Sequence, residues 1–191
     1  MRQNLKTARL ELTALGLSEA AFIHQLVNTP GWLRFIGDRN IGTIADALGY
    51  IEKILFDPNV HFWIVKLSQD PLPTDQPPTD QPPAGQPSIG IITLIQRDYL
   101  EHPDIGFAFL PAYAKQGYAF EAAAAVMQTL TTGPDQSPVL AITKKENADS
   151  ARLLEKLGLR FDREINNKDE ALQLYSTAKL LLSSPTGSLK R

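Results

Sequence analysis

The chain has 191 residues, 43% of them hydrophobic, with a formal net charge of -2 and no cysteine. That length and composition suit one globular domain with a substantial buried core. They exclude disulfides, cysteine-ligated metals and a cysteine nucleophile, and the charge gives no electrostatic footprint for nucleic acid.

The opening, "MRQNLKTARLELTAL", is too polar for a signal peptide, and no apolar run approaches the ~20 residues of a membrane span. With no cysteine, this fits a reducing cytoplasm. The expectation is a cytoplasmic protein with neither a membrane nor a nucleic-acid partner. "RLELTAL" (9–15) carries Leu10 and Leu12 in alternation and predicts a first strand. Ser18 can cap a helix with Phe22, Ile23 and Leu26 on one face. "TPGWLRFIGDRN" (29–40) has proline, glycine and polar residues and reads as a loop. Thr43 starts a second helix, with Ile44, Leu48, Ile51 and Leu55 at helical spacing and Asp46 favouring its positive end. "VHFWIVKL" (60–67) is β-branched and aromatic, hence a strand.

Residues 73–87 repeat a five-residue unit, "PTDQP", "PTDQP", "PAGQP". Proline denies such a segment both helix and ladder hydrogen bonds, and almost no apolar side chain offsets its ordering entropy. Residues 69–88 therefore read as a mobile insertion between two strands, with a proline-rich partner ligand as the other reading. The second of those strands is "SIGIITLIQRD" (88–98), and "DIGFAFLP" (104–111) is a third in the same meander. A helix follows from about Gly117. "PVLAIT" (138–143) is a short apolar run suited to a strand buried on both faces. "NADSARLLEKLG" (147–158) predicts a helix capped by Asn147, packed through Leu153, Leu154 and Leu157, and stopped by Gly158. "LRFDREI" and "LQLYSTAKL" make a closing hairpin, and residues 183–191 read as a disordered tail. The order is β-α-α-β-β-β-α-β-α-β-β over one domain, residues 1–182. This is an α+β chain: a mixed sheet of about seven strands with about four helices on both faces.

The segment "AYAKQGYAFEAAAAVM" (112–127) carries the first chemical hint. A helix N-terminus offers free N–H groups and a partial positive charge, which suits phosphate where nothing blocks the approach. Gly117 and Ala119 keep side chains out of the way, and Lys115 adds a cation. Ala119, Ala122, Ala123, Val126 and Leu130 form the buried stripe. On these residues alone, tight helix packing is the commoner reading of such a segment and anion binding the other.

"AKQGYA" (114–119) resembles the Gln/Arg-x-x-Gly-x-Gly/Ala pyrophosphate loop of the GNAT N-acetyltransferase superfamily. Gly117 and Ala119 match it, while Ala114 replaces the leading Gln/Arg. "DIGFAFLP" is similar to the family's fourth strand, and "NADSARLLEKLGLRF" to its Asn-x-x-Ser…Lys-x-Gly-Phe segment. "TARLELTAL" and "RFIGDRN" resemble the RimJ/RimL-type branch. The resemblance covers Thr7 to Leu180 apart from the proline insertion. It implies a mostly antiparallel GNAT sheet and acetyl-CoA as co-substrate, with no metal. The acceptor would be an amine, of a protein N-terminus or a small molecule. A non-catalytic acyl-CoA-binding module on the same fold is the alternative.

The resemblance also implies roles. The pantetheine arm would enter between two splayed strands, with the Ala108 N–H polarising the thioester and Phe109 and Leu110 contacting the arm. The main chain of Lys115, Gln116, Gly117, Tyr118, Ala119 and Phe120 would hold the pyrophosphate, and Asn147 would bond the arm or cap its helix. Asp104 stands where a related branch places a glutamate base; a strand-edge aspartate with a structural hydrogen bond is the equal alternative. Many relatives protonate the leaving thiolate with a Tyr, absent here at Leu153 and Leu154, so Ser150 is the candidate acid. His24, His61 and His102 have no metal-ligand spacing. Glu121 is explained by the helix dipole. Asp38, Arg39, Trp32, Phe35 and Trp63 can line an acceptor pocket or simply pack.

Overall fold

Among the described residues, eight strands form one sheet because their alternating apolar residues find helices on both sides. The structure is a computed structural model describing residues 4–68, 86–131, 138–167 and 170–177. Apart from residues 86–88, the proline-rich insertion lies outside these, as does the C-terminal tail. In chain order the elements are β1 (Leu5–Lys6), β2 (Leu10–Ala14), α1 (Ala20–Val27), α2 (Pro30–Phe35), α3 (Ile44–Phe56), β3 (Val60–Leu67) and β4 (Ser88–Ile95). Then come β5 (Asp104–Phe109), α4 (Tyr118–Thr131), β6 (Leu140–Lys144), α5 (Ala148–Lys156), β7 (Arg160–Asn167) and β8 (Glu170–Ser176). The sheet order is β1-β2-β3-β4-β5-β6-β8-β7, antiparallel throughout except for the parallel pair β5–β6.

Two cores cover the two faces. One joins Leu10, Leu12, Val65, Ile92 and Ile105 to Ala122, Ala123 and Val126 of α4 and Leu154 of α5. The other joins Phe62, Ile64 and Ile91 to Ile23 and Leu26 of α1 and Ala47, Ile51 and Ile54 of α3. Each fully buried Leu or Ile contributes about 1.5–3 kcal/mol relative to exposure. Consecutive residues Phe62, Trp63, Ile64 and Val65 alternate between these cores, the period-2 signature of a strand sandwiched between layers. Gly90 on β4 leaves room for the Phe109 ring, which would lie 2.4 Å from a Cβ there.

Four expectations need correcting. Residues 29–40 are not all loop: Pro30 occupies the first turn of α2, where its missing N–H costs nothing, and Thr29 Oγ1 accepts from the Trp32 N–H. Ser18 does not cap α1; it lies in a 3-10 turn, Leu17–Glu19, and no side chain caps α1. The buried stripe of α3 is Ala47, Ile51 and Ile54, whereas Ile44, Leu48 and Leu55 are exposed. The sheet also gains a short edge strand, β1, paired with β2 at two positions. The start of α3 follows the sequence: Thr43 and Asp46 form a reciprocal capping box.

Candidate active site

The geometry of the site begins with a broken ladder. β5 pairs with β4 at six positions but with β6 at one, Asp104 opposite Leu140. Beyond that rung, where the Leu140 N–H donates to Pro103 O, the two parallel strands part. Strand alternation decides which amides face the opening, because in an antiparallel pair every second residue bonds to its neighbour. The Leu110 N–H donates to Ile89 O, so in the same register Ala108 bonds Ile91 and both amides face β4. The amides of Ile105, Phe107 and Phe109 therefore face the wedge. On the other wall the Thr177 N–H donates to Val139 O, which turns alternate β6 residues to β8 and leaves Ile142 and Lys144 facing the wedge.

The sequence-predicted residues fall into three groups. Phe109 lies on the wedge, whereas Ala108 and Leu110 have their N–H groups turned away; Leu110 is buried in the second core. The N–H groups of β5 open to the wedge are therefore those of its odd-numbered residues. Lys115, Gln116, Gly117, Tyr118, Ala119 and Phe120 form the turn into α4. Lys115 has φ 60° and Gly117 φ 84°, and the first closing bond runs from the Glu121 N–H to Gly117 O. Among the described residues, the amides from Lys115 to Phe120 have no hydrogen-bond acceptor within the chain. Six free donors at the positive end of a 14-residue helix are suited in chemistry to a dianion. Asn147 caps α5 and its Oδ1 accepts from the Ser150 N–H at 3.2 Å. Ser150 stands in the first turn of α5, directly after β6, and its hydroxyl has no partner among the described residues.

Asp104 is placed differently from a base. Its side chain is 3% exposed, and Arg97 donates to both oxygens, Nε to Oδ1 at 2.6 Å and Nη2 to Oδ2 at 3.3 Å. Burial pushes the carboxyl above its usual range, and Arg97 draws it back only in part. This carboxylate is committed to an ion pair at the closed end of the wedge. Among the other candidates, Asp38 accepts from the Asn40 N–H and Arg39 bonds the Tyr50 hydroxyl. Trp32 and Trp63 pack in the cores, and the buried Trp32 Nε1 has no partner among the described residues. Among the described residues no cluster of His, Cys, Asp or Glu could hold a metal, and no helix is long and apolar enough to cross a membrane.

One group escaped sequence reasoning. Arg9, just before β2, reaches α4: its Nε donates to Glu121 Oε2 at 2.7 Å and its Nη1 to Gln116 O at 3.2 Å. Thr7 Oγ1 and the Arg9 N–H both donate to Glu121 Oε1, at 2.6 and 3.0 Å. Burial pushes the Glu121 carboxyl up, but the Thr7 and Arg9 bonds outweigh it and hold the group below its ordinary value of 4.5. A depressed pKa contributes stability above the unfolded value, lost as pH falls through the folded one. Glu121→Gln should therefore be less stable than the parent at pH 7. The gap should close below pH 4.5 in urea unfolding series.

Comparison with known proteins agrees with this geometry. The model of the acetyltransferase (GNAT) domain matches residues 9–160. The GNAT-family acetyltransferase from Bacillus anthracis superposes with a TM-score of 0.70 at 20% identity, covering 91% of this chain and 97% of that one. The acetyltransferase from Agrobacterium tumefaciens str. C58 gives 0.70 at 17% identity, over 92% and 94%. The spermidine N-acetyltransferase from Vibrio cholerae, in complex with CoA and spermine, gives 0.69 at 17%, over 92% and 99%. At such identities these likenesses establish the fold. No curated protein matches the sequence. The domain match takes in both walls of the wedge and the turn that joins β5 to α4, and it makes this chain a member of the GNAT acetyltransferase family, an N-acetyltransferase.

Proposed function

We propose that the chain is a RimJ/RimL-like enzyme that moves acetyl from acetyl-CoA to an amine of low pKa: a protein N-terminus or a comparable small-molecule amine. The observation that carries this reading is the single rung between β5 and β6. It leaves a slot in which an extended amide chain can add as a strand. The diphosphate would rest on the amides of Lys115 to Phe120, and the Phe107 or Phe109 N–H would bond the thioester oxygen. The neutral amine attacks the carbonyl carbon, a C–N bond forms, the C–S bond breaks, and the nitrogen loses a proton to water. The Ser150 hydroxyl gives its proton to the departing thiolate and is reprotonated by water.

The acceptor class follows from proton chemistry. With Asp104 held by Arg97, the amine must shed its proton to water. An α-amine near ~7.8 is roughly a tenth neutral at pH 7, whereas a lysine near ~10.4 is below about 0.1% neutral. A polyamine acceptor, such as the name of the Vibrio cholerae neighbour specifies, is the competing class. The test follows CoA thiol release from acetyl-CoA with free-N-terminus peptides, N-blocked lysine peptides and spermidine. We expect the free α-amines to lead. No thiol release with any amine, together with no CoA binding by calorimetry, would overturn the proposal. Ser150→Ala should lower kcat about 100-fold, the modest end of a general-acid contribution, with a smaller change in KM for acetyl-CoA.

A further inference from the structure

We propose that Thr7, Arg9 and Glu121 form a clamp that sets the shape of the diphosphate-binding turn, with Arg9 as its positioning residue. This rests on the reading that the turn receives the diphosphate of CoA. Glu121 presents the physical problem. A carboxylate in the first turn of α4 suits the helix dipole but opposes an incoming dianion. The clamp removes that opposition. Thr7 Oγ1, the Arg9 N–H and Arg9 Nε donate to its two oxygens, and Arg9 Nη2 stands 2.7 Å from Oε2 in the ion pair. The carboxylate is thus neutralised and aimed at β2, away from the free amides.

The same guanidinium then fixes the turn. Its Nη1 donates to Gln116 O, its Cζ lies 4.5 Å from the centre of the Tyr118 ring, and its Nη2 would stand 3.3 Å from a Cβ on Gly117. Arg9 therefore touches the residue before Gly117 and the residue after it. Lys115 and Gly117 both have positive φ, a conformation a free chain abandons easily. Holding Gln116 O in place directs the following amides outward. A planar fork can bridge a carboxylate and a carbonyl at once, which an ammonium cannot.

The test is calorimetric binding of three probes, CoA, dephospho-CoA and pantetheine, to the full chain and to Arg9→Ala and Arg9→Lys. Arg9→Ala should weaken CoA and dephospho-CoA alike, by about 10- to 100-fold, the equivalent of one charge-assisted hydrogen bond. Pantetheine, which has no diphosphate, should show a much smaller penalty. Arg9→Lys should stay impaired, because charge without the fork does not hold the turn. Four results would overturn the clamp: unchanged CoA binding, full recovery in Arg9→Lys, a penalty confined to CoA, or equal penalties for all three probes. The third would make Arg9 a contact of the 3′-phosphate, and the fourth would report general damage. If Arg9→Ala does not fold, Arg9→Lys and Thr7→Val are read against the same probes. If the parent binds no CoA, the functional reading fails, and the clamp with it. Intact binding by the parent and by the variants would sink the clamp alone.

Discussion

Gly117→Val should abolish measurable CoA binding while the protein remains folded. The position has φ 84°, where an L side chain is strained and a β-branched one most of all. A Cβ there would also meet Arg9 Nη2 at 3.3 Å. The chain can bear the strain, roughly 1–2 kcal/mol, or flip the turn to negative φ. A flip rotates the flanking amides away from the anion. Losing two charge-assisted bonds to a diphosphate, each about 1.5–3 kcal/mol net, lowers affinity roughly 100- to 10,000-fold. The fall in Tm should be small, about 2–8 °C for a chain of this size. Gly117→Ala should show the same effect in reduced degree. Calorimetry with CoA and thermal melts measure both arms. A Gly117→Val protein that binds CoA like the parent would mean that the diphosphate rests elsewhere.

What the sequence revealed and what it hid have separate physical causes. Strands β3 to β6 and helices α4 and α5 were legible because each carries its own period, cap or stop within a dozen residues. Gly117 and Asn147 were legible for the same reason, since a turn and a cap are local devices. The stripe of α3 was misplaced because Ile44, Leu48, Ile51 and Leu55 make an apolar helical row as good as the true one through Ala47, Ile51 and Ile54. Only the tilt of the helix on the sheet chooses between them. The direction of the Ala108 amide was hidden for a different reason. Whether an amide faces one neighbour or the other depends on register, and that is fixed by Leu110 bonding Ile89, twenty-one residues away. Arg9 and Glu121 are separated by 112 positions, so no local pattern could pair them. For Asp104 a structural hydrogen bond was one of two open readings, but its partner Arg97, only seven residues before it, was hidden because the connecting turn had no readable period.

Arg97→Met should cost the most stability of any change considered, and its pH dependence identifies the cause. Asp104 is 3% exposed and keeps its charge because Arg97 donates to both oxygens. Removing one partner of a buried pair leaves an uncompensated charge, at a cost of about 3–5 kcal/mol. Arg97 is 30% exposed, which favours the lower end, about 3 kcal/mol, or a Tm loss of roughly 6–12 °C. Without Arg97 only burial acts strongly on the carboxyl, so its folded pKa should rise further above the ordinary 3.8. Between the unfolded and the raised folded value, the native state binds more protons than the unfolded chain. Stability of the variant therefore rises as pH falls through that window, the opposite of the trend for Glu121. Urea unfolding at pH 7 and at pH 5 should show the gap to the parent narrowing. Asp104→Asn combined with Arg97→Met should recover part of the loss, because no buried charge remains. The same pair separates structure from chemistry: if Asp104 is only an anchor at the closed end of the wedge, the double variant keeps turning over acetyl-CoA. A well-folded double variant with no turnover would make Asp104 the missing base and would reopen lysine side chains as acceptors.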